Sequence, residues 1–201
     1  MPRTRKAPAR TSDVGAAGDV KSRLIAAALD LAARKGWRNL GMGEIAAAAG
    51  VSLGEAFATF RTKPGLLAGF AREVNATVLA AGDAEGTPRE RLFELMMRRF
   101  DALKEHRPGL KAILRGSVGD PATILGVPAT LNAMAWMLEA AGISSEGWRG
   151  RVRCLALARA YAATFRTFLD DDSEDLAKTM AALDRYLKAG PFGEGAAHAA
   201  D

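Results

Sequence analysis

His106, His198 and Cys154 are the side chains best suited to metal or nucleophilic chemistry in this 201-residue chain, and none sits in a pattern such chemistry uses. There is no G-x-G-x-x-G, G-x-S-x-G, H-E-x-x-H or phosphate-loop spacing. His106 stands among charged residues near a helix end, where a solvated or capping imidazole belongs, and His198 lies in a Gly/Ala-rich tail. Cys154 falls on an apolar stripe and reads as a small hydrophobe. As the single cysteine it leaves no partner for an internal disulfide and no zinc cluster. The run Asp170-Asp171-Asp172, with Glu174 and Asp175, matches no calcium loop and reads as a solvated loop, with Asp172 or Ser173 as an N-cap. The expectation is a protein that is not an enzyme and uses no cofactor or metal.

Another set of residues offers binding rather than catalysis. Met96, Met97, Met134 and Met137 recur with Phe100, Trp136, Tyr161 and Phe165 at helical spacings. Such a set builds an ordinary core, or it lines a cavity for an apolar or aromatic molecule between helices. The candidate lining is Met96, Phe100, Leu103, Ile113, Trp136, Met137, Tyr161 and Phe165, with Tyr161 or Arg159 as polar anchor.

The elements that must carry these residues are all helical. Leu24, Ala28 and Leu31 share one stripe, and Arg34-Lys35-Gly36 ends it. A short helix spans about Met42 to Ala49, and Ser52 and Glu55 have the S-x-x-E spacing of a capping box opening the next. Pro64 suits the first turn of a fourth helix carrying Leu66, Leu67, Phe70 and Val74. Thr87-Pro88-Arg89-Glu90 opens a fifth, Pro108 a sixth, and Gly119 to Pro128 reads as a loop. Leu131 to Leu138, Trp148 to Leu169 and Leu176 to Leu187 give the rest, with no alternating strand pattern. The fold class is therefore all-α, about nine helices: a three-helix head and a helical bundle behind it. The expected division is a disordered basic arm at 1–18, a head at 19–72, a body at 73–190 and a flexible tail at 191–201.

Charge divides the chain in the same place. Residues 1–72 hold 12 Lys/Arg against 5 Asp/Glu, and residues 73–201 hold 16 against 18. A basic head on a slightly acidic body suits a polyanion partner. Arg3, Arg5, Lys6 and Arg10 either solubilise the arm or hold phosphates. No apolar run approaches the roughly 18 residues of a membrane span. The N-terminus lacks an apolar core of the secretory type, so a reducing cytoplasm is the expected compartment.

Gly41 to Leu67 is the most informative segment. Two short helices meet at Ala49-Gly50-Val51-Ser52, with Gly50 for the turn and Ile45, Ala48 and Val51 to pack them. This is the pattern of a helix-turn-helix, in which one helix braces and the next enters the major groove. Ile45-Ala46, Ala49-Gly50-Val51-Ser52, Gly54, Phe57, Phe60, Lys63 and Leu66-Leu67 together resemble the DNA-binding head of TetR-family repressors, over about residues 20–70. The resemblance implies a dimer on duplex DNA, released by a small apolar ligand bound in a helical body. It places Gly43, Ser52, Leu53, Gly54, Glu55, Phe57, Thr59 and Lys63 at the DNA. The family usually has Thr or Ser where this chain has Gly41, and Tyr where it has Phe57. Leu53, Ala56 and Ala58 offer no hydrogen bond to a base edge, so modest specificity is expected.

The last two helices carry apolar stripes on more than one face. Val152, Leu155, Ala162, Leu169, Leu176, Met180, Leu183 and Leu187 are accordingly the expected homodimer interface. Arg89 to Leu103, His106-Arg107-Pro108, Leu131 to Trp136 and the long helix ending Phe168-Leu169-Asp170 also faintly resemble a lipid-binding accessory protein of ubiquinone biosynthesis, which shares the fold without acting as a repressor.

Overall fold

The structure, a computed structural model, describes residues 11–82, 85–117 and 127–192. Among them every regular element is helical: α1 (Thr11–Lys35), α2 (Met42–Ala48), α3 (Leu53–Thr59), α4 (Lys63–Ala80), α5 (Pro88–Leu103), α6 (Arg107–Ser117), α7 (Val127–Ala140), α8 (Gly147–Leu169) and α9 (Ala177–Ala189). A 3-10 turn, Lys104–His106, joins α5 to α6. The all-α expectation holds. The residues Arg3, Arg5, Lys6 and Arg10, most of the Gly119–Pro128 stretch and His198 lie outside the described residues.

Helix α1 begins at Thr11, well ahead of the first apolar stripe. Its first turns are Gly/Ala-rich, and alanine favours helix without leaving a periodic mark. Leu24, Ala28, Leu31 and Ala32 then bury against Trp37, Ile45, Ala56, Phe60 and Leu66 to make the head core. Helix α4 runs on from there, burying Phe70, Val74 and Val78, so one rod is shared between head and body. Phe70 meets His106 edge to face at 5.1 Å, and that imidazole is half-buried. The body core is Leu92, Met96, Phe100, Met134, Met137, Leu157, Phe168 and Leu183.

At Gly109 helix α6 crosses α1 so closely that only glycine fits. A Cβ on Gly109 would stand 2.5 Å from the backbone oxygen of Leu29, and one on Gly116 would stand 3.0 Å from Trp37 Cβ. This crossing ties the head's first helix to the body.

The acidic run serves helix α9. Leu176, at φ 57, offers α9 no side-chain cap. Asp171 replaces it from the loop, accepting from Thr179 N–H at 2.8 Å, Thr179 Oγ1 at 2.6 Å and Ser173 N–H at 3.1 Å. Burial works against its charge, yet these donors outweigh burial and hold the carboxyl well below its usual range. Ser173 Oγ accepts from Ala177 N–H, while Asp170 and Asp172 pair with Lys111 and Lys178. Asp171→Asn is expected to cost about 2–4 kcal/mol at pH 7, since it weakens a buried, fully bonded charge. The carboxyl is depressed in the folded state, so its stabilisation is present above the unfolded value near 4 and fades as pH falls further. Urea unfolding at pH 7 and pH 3 checks this: the gap between wild type and variant should narrow at the lower pH.

Candidate functional site

The turn between α2 and α3 is built from backbone. Gly50, at φ +63, lets Val51 N–H reach the Ala46 carbonyl at 3.0 Å and Gly50 N–H reach Ala47 at 3.2 Å. This double closure ends α2 in the Schellman manner. Arg23 of α1 then donates from Nη1 to the Ala49 and Gly50 carbonyls at 3.2 and 3.3 Å. Ser52 opens α3: Glu55 N–H donates to Ser52 Oγ at 3.2 Å, and Ser52 N–H to Glu55 Oε2 at 3.1 Å. The Ser52 hydroxyl and N–H hold the Glu55 carboxyl below its usual range. Glu55 thus has a capping role that a polyanion partner does not require.

Helix α3 turns Ala56 inward and leaves Leu53 63 % and Phe57 61 % exposed. Between α2 and α3 lies an apolar dent of about 440 Å³ lined by Met42, Leu53, Gly54, Ala56, Phe57, Phe60 and Arg61. Thr59 Oγ1 donates to the Glu55 carbonyl at 2.8 Å. Lys63 Nζ donates to the Trp37 and Arg38 carbonyls at 2.9 and 3.3 Å and lies 4.8 Å from the Trp37 ring centre. Gly41 can offer α2 no side-chain acceptor, so the cap is one-sided: Gly41 N–H donates to Glu44 Oε2 at 3.2 Å. The presented surface is a short helix, apolar at its centre, held by backbone clamps on either side.

In the body, Phe100, Tyr161, Phe165 and Phe168 form a row of rings with centres 5.2–5.8 Å apart. Helix α8 places Tyr161, Thr164, Phe165 and Phe168 on one face by its 3.6-residue turn. Cys154 lies about two turns earlier in the core; burial first, and the charge of Glu139 second, push its thiol above the usual range. The opposite face of α8 carries Trp148, Val152, Leu155, Arg159 and Ala162, all exposed, with Met180 of α9 also exposed.

The sequence profile of bacterial regulatory proteins of the tetR family matches residues 24–69, which spans the clamped turn and α3. The chain carries a TetR-family head on a TetR-type regulator fold. No curated protein matches this sequence. A solved TetR transcriptional regulator from Nitrosomonas europaea superposes with a TM-score of 0.69 at 26% identity, over 85% of this chain and 96% of that one. A tetR-family regulator from Streptomyces coelicolor gives 0.56 at 24%, over 86% and 81%. NalD, the secondary repressor of the MexAB-OprM multidrug efflux pump in Pseudomonas aeruginosa, shares the fold at 0.53 and 16%, over 88% and 98%.

On this TetR-type fold the sequence-derived sites scatter in an instructive way. Gly43, Ser52, Leu53, Gly54, Glu55 and Phe57 are exposed on α2 and α3, while Thr59 and Lys63 are half-buried. Met96, Phe100, Leu103, Ile113 and Met137 lie together inside the body, with Tyr161 and Phe165 half-exposed at its edge. Trp136 does not join them: it is 60 % exposed, because the inward stripe of α7 runs through Ala133, Met134, Met137 and Leu138. Arg159 likewise stands on the outer face of α8, away from the rings. Of the expected dimer residues, Val152, Leu155, Ala162 and Met180 are exposed, but Leu169, Leu176, Leu183 and Leu187 are buried within the protomer. The α9 leucines form the stripe that packs on α5 and α8, so they cannot also meet a second chain. Trp148 is also exposed on the outer face of α8. Arg23 and Arg99 were not foreseen; an arginine inside the apolar stripe Leu92, Met96, Phe100 and Leu103 was the signal for the latter.

Proposed function

We propose that the protein is a homodimeric transcriptional repressor that binds a two-fold DNA site through α3 and is released by a small ligand in its body. The observation that carries this reading is the clamped α2–α3 turn presenting an exposed α3 within a TetR-family head. The fold and the outward apolar face of α8 support the ligand-binding role of the body and the dimer. No described helix is long and apolar enough to cross a membrane, and the cytoplasm, where DNA lies, is the proposed compartment. Regulation rather than catalysis is the role this fold supports.

The centre of α3 is apolar, so base reading falls to contacts of Leu53 and Phe57 with thymine methyl groups, and much of the affinity falls to phosphates. The purified protein should prefer its own upstream DNA over random duplex in a mobility-shift assay, with steep loss of affinity as salt rises. Uracil in place of a contacted thymine should weaken binding about threefold to fivefold, the worth of one buried methyl. Phe57→Asp should weaken it by at least tenfold. Absence of any preference at moderate salt, together with extraction of lipid from vesicles, would replace this reading with that of a lipid-binding accessory protein.

A further inference from the structure

We propose that the body binds an apolar carboxylic acid, its carboxylate held by the Arg99 guanidinium and its apolar part laid against the aromatic row of α8. This rests on the reading of the body as the ligand-binding half. Arg99 is only 6 % exposed, and no carboxylate pairs with it among the described residues. Its Nε and Nη1 are buried without a hydrogen-bond partner. The Tyr161 ring, centred 5.0 Å away, compensates part of the charge but accepts no directed hydrogen bond. A buried cation in this condition is costly unless something completes it.

The neighbours point the same way. Arg107 lies 4.8 Å from the Phe168 ring centre, donates from Nη1 to the Asp171 carbonyl, and leaves Nε and Nη2 buried and unbonded. Thr164, between Tyr161 and Phe168 on α8, has a buried hydroxyl with no partner. A helical threonine ordinarily turns that hydroxyl back to the carbonyl four residues earlier. These five atoms on Arg99, Arg107 and Thr164 can all donate, and the rings link them into one neighbourhood; the one other buried unpartnered atom among the described residues, Asn75 Oδ1, is on α4. A carboxylate is an acceptor with room for several such bonds. Apolar rings beside it call for an acyl chain or an arene rather than a sugar or nucleotide. Of the two guanidiniums, Arg99 is the one with neither a carboxylate nor a carbonyl partner among the described residues, and one carboxylate would balance its charge. Tyr161 and Phe165 are half-exposed, which gives the row an open side.

Calorimetric titration tests this with decanoate, 4-phenylbutyrate and the uncharged decanol, on wild type, Arg99→Met and Arg99→Lys. At least one acid should bind wild type tenfold or more tightly than decanol, and the tighter acid tells an acyl ligand from an aromatic one. Arg99→Met should bind that acid at least tenfold more weakly and decanol as well as before, with Arg99→Lys between. Equal binding of acid and alcohol by wild type overturns the proposal without recourse to a variant, as does undiminished acid binding by a folded Arg99→Met. DNA release measured in parallel separates the two readings. An acid that binds through Arg99 but leaves DNA bound supports the site and refutes the effector role. Release by decanol alone refutes the site and keeps the role.

Discussion

Leu155→Arg is expected to convert the protein to a monomer and to lower its affinity for a two-fold DNA site at least a hundredfold. Leu155 is 59 % exposed at the centre of the outer face of α8, between Val152 and Ala162. A two-fold interface meets each substitution twice, and each new guanidinium would be desolvated among Arg151 and Arg159 of its own helix. A penalty of about 4 kcal/mol over the pair raises the dimer constant about a thousandfold. The loss at DNA follows because the second head no longer binds at the high effective concentration its partner gives it. The protomer itself should stay folded, since the side chain is not part of its core. Sedimentation velocity and a mobility-shift titration on the same sample decide the matter. A dimer that survives Leu155→Arg would place the interface elsewhere.

The second large effect is expected at the crossing of α6 and α1. Gly109→Val puts a branched side chain where a single Cβ already stands 2.5 Å from the Leu29 carbonyl oxygen and 3.2 Å from its Cα. The crowding atoms are all backbone of Leu29, so no flexible side chain can give way and the helices must part. Overpacking of this kind costs about 1–3 kcal/mol or somewhat more, here about 5–10 °C in Tm for a chain of this size. Gly18→Ala is the matched control: it adds a methyl to α1 where nothing lies within 4 Å, and should stabilise by about 0.5–1 kcal/mol. The more informative readout is coupling. A body that can no longer press on α1 should still bind ligand, while the ligand's effect on DNA affinity shrinks. Unchanged coupling in a folded Gly109→Val protein would show that the signal travels through α4 instead.

The helices were legible in the sequence because their signals are local. Ser52 with Glu55, Thr87 with Glu90, and Gly50 mark ends that the structure draws with the expected bonds. Helix α1 exceeded expectation because its first turns, Thr11 to Gly18, carry no apolar period that would mark them as helix. The sites were less legible because they depend on which of two apolar stripes faces inward. Helix α8 has both, and only packing decides that Phe168 is core while Leu155 is surface. The Leu183 and Leu187 stripe of α9 reads like an interface and is spent inside the protomer. Arg23 and Arg99 act across 26 or more residues of sequence, through contacts with the α2–α3 turn and with α8, and nothing local announces them.

A thiol kept protonated inside α8 reacts slowly with alkylating reagents. Cys154 is the sole sulfhydryl of the chain, so the folded protein is close to silent toward maleimides without any engineering. A cysteine placed at the exposed Ala47 of α2 would then be the one fast-labelling position per chain. Two spin labels per assembled molecule, one on each head, would make the head-to-head spacing a single measurable distance. Pulsed electron resonance could follow that distance as DNA or an acid is added.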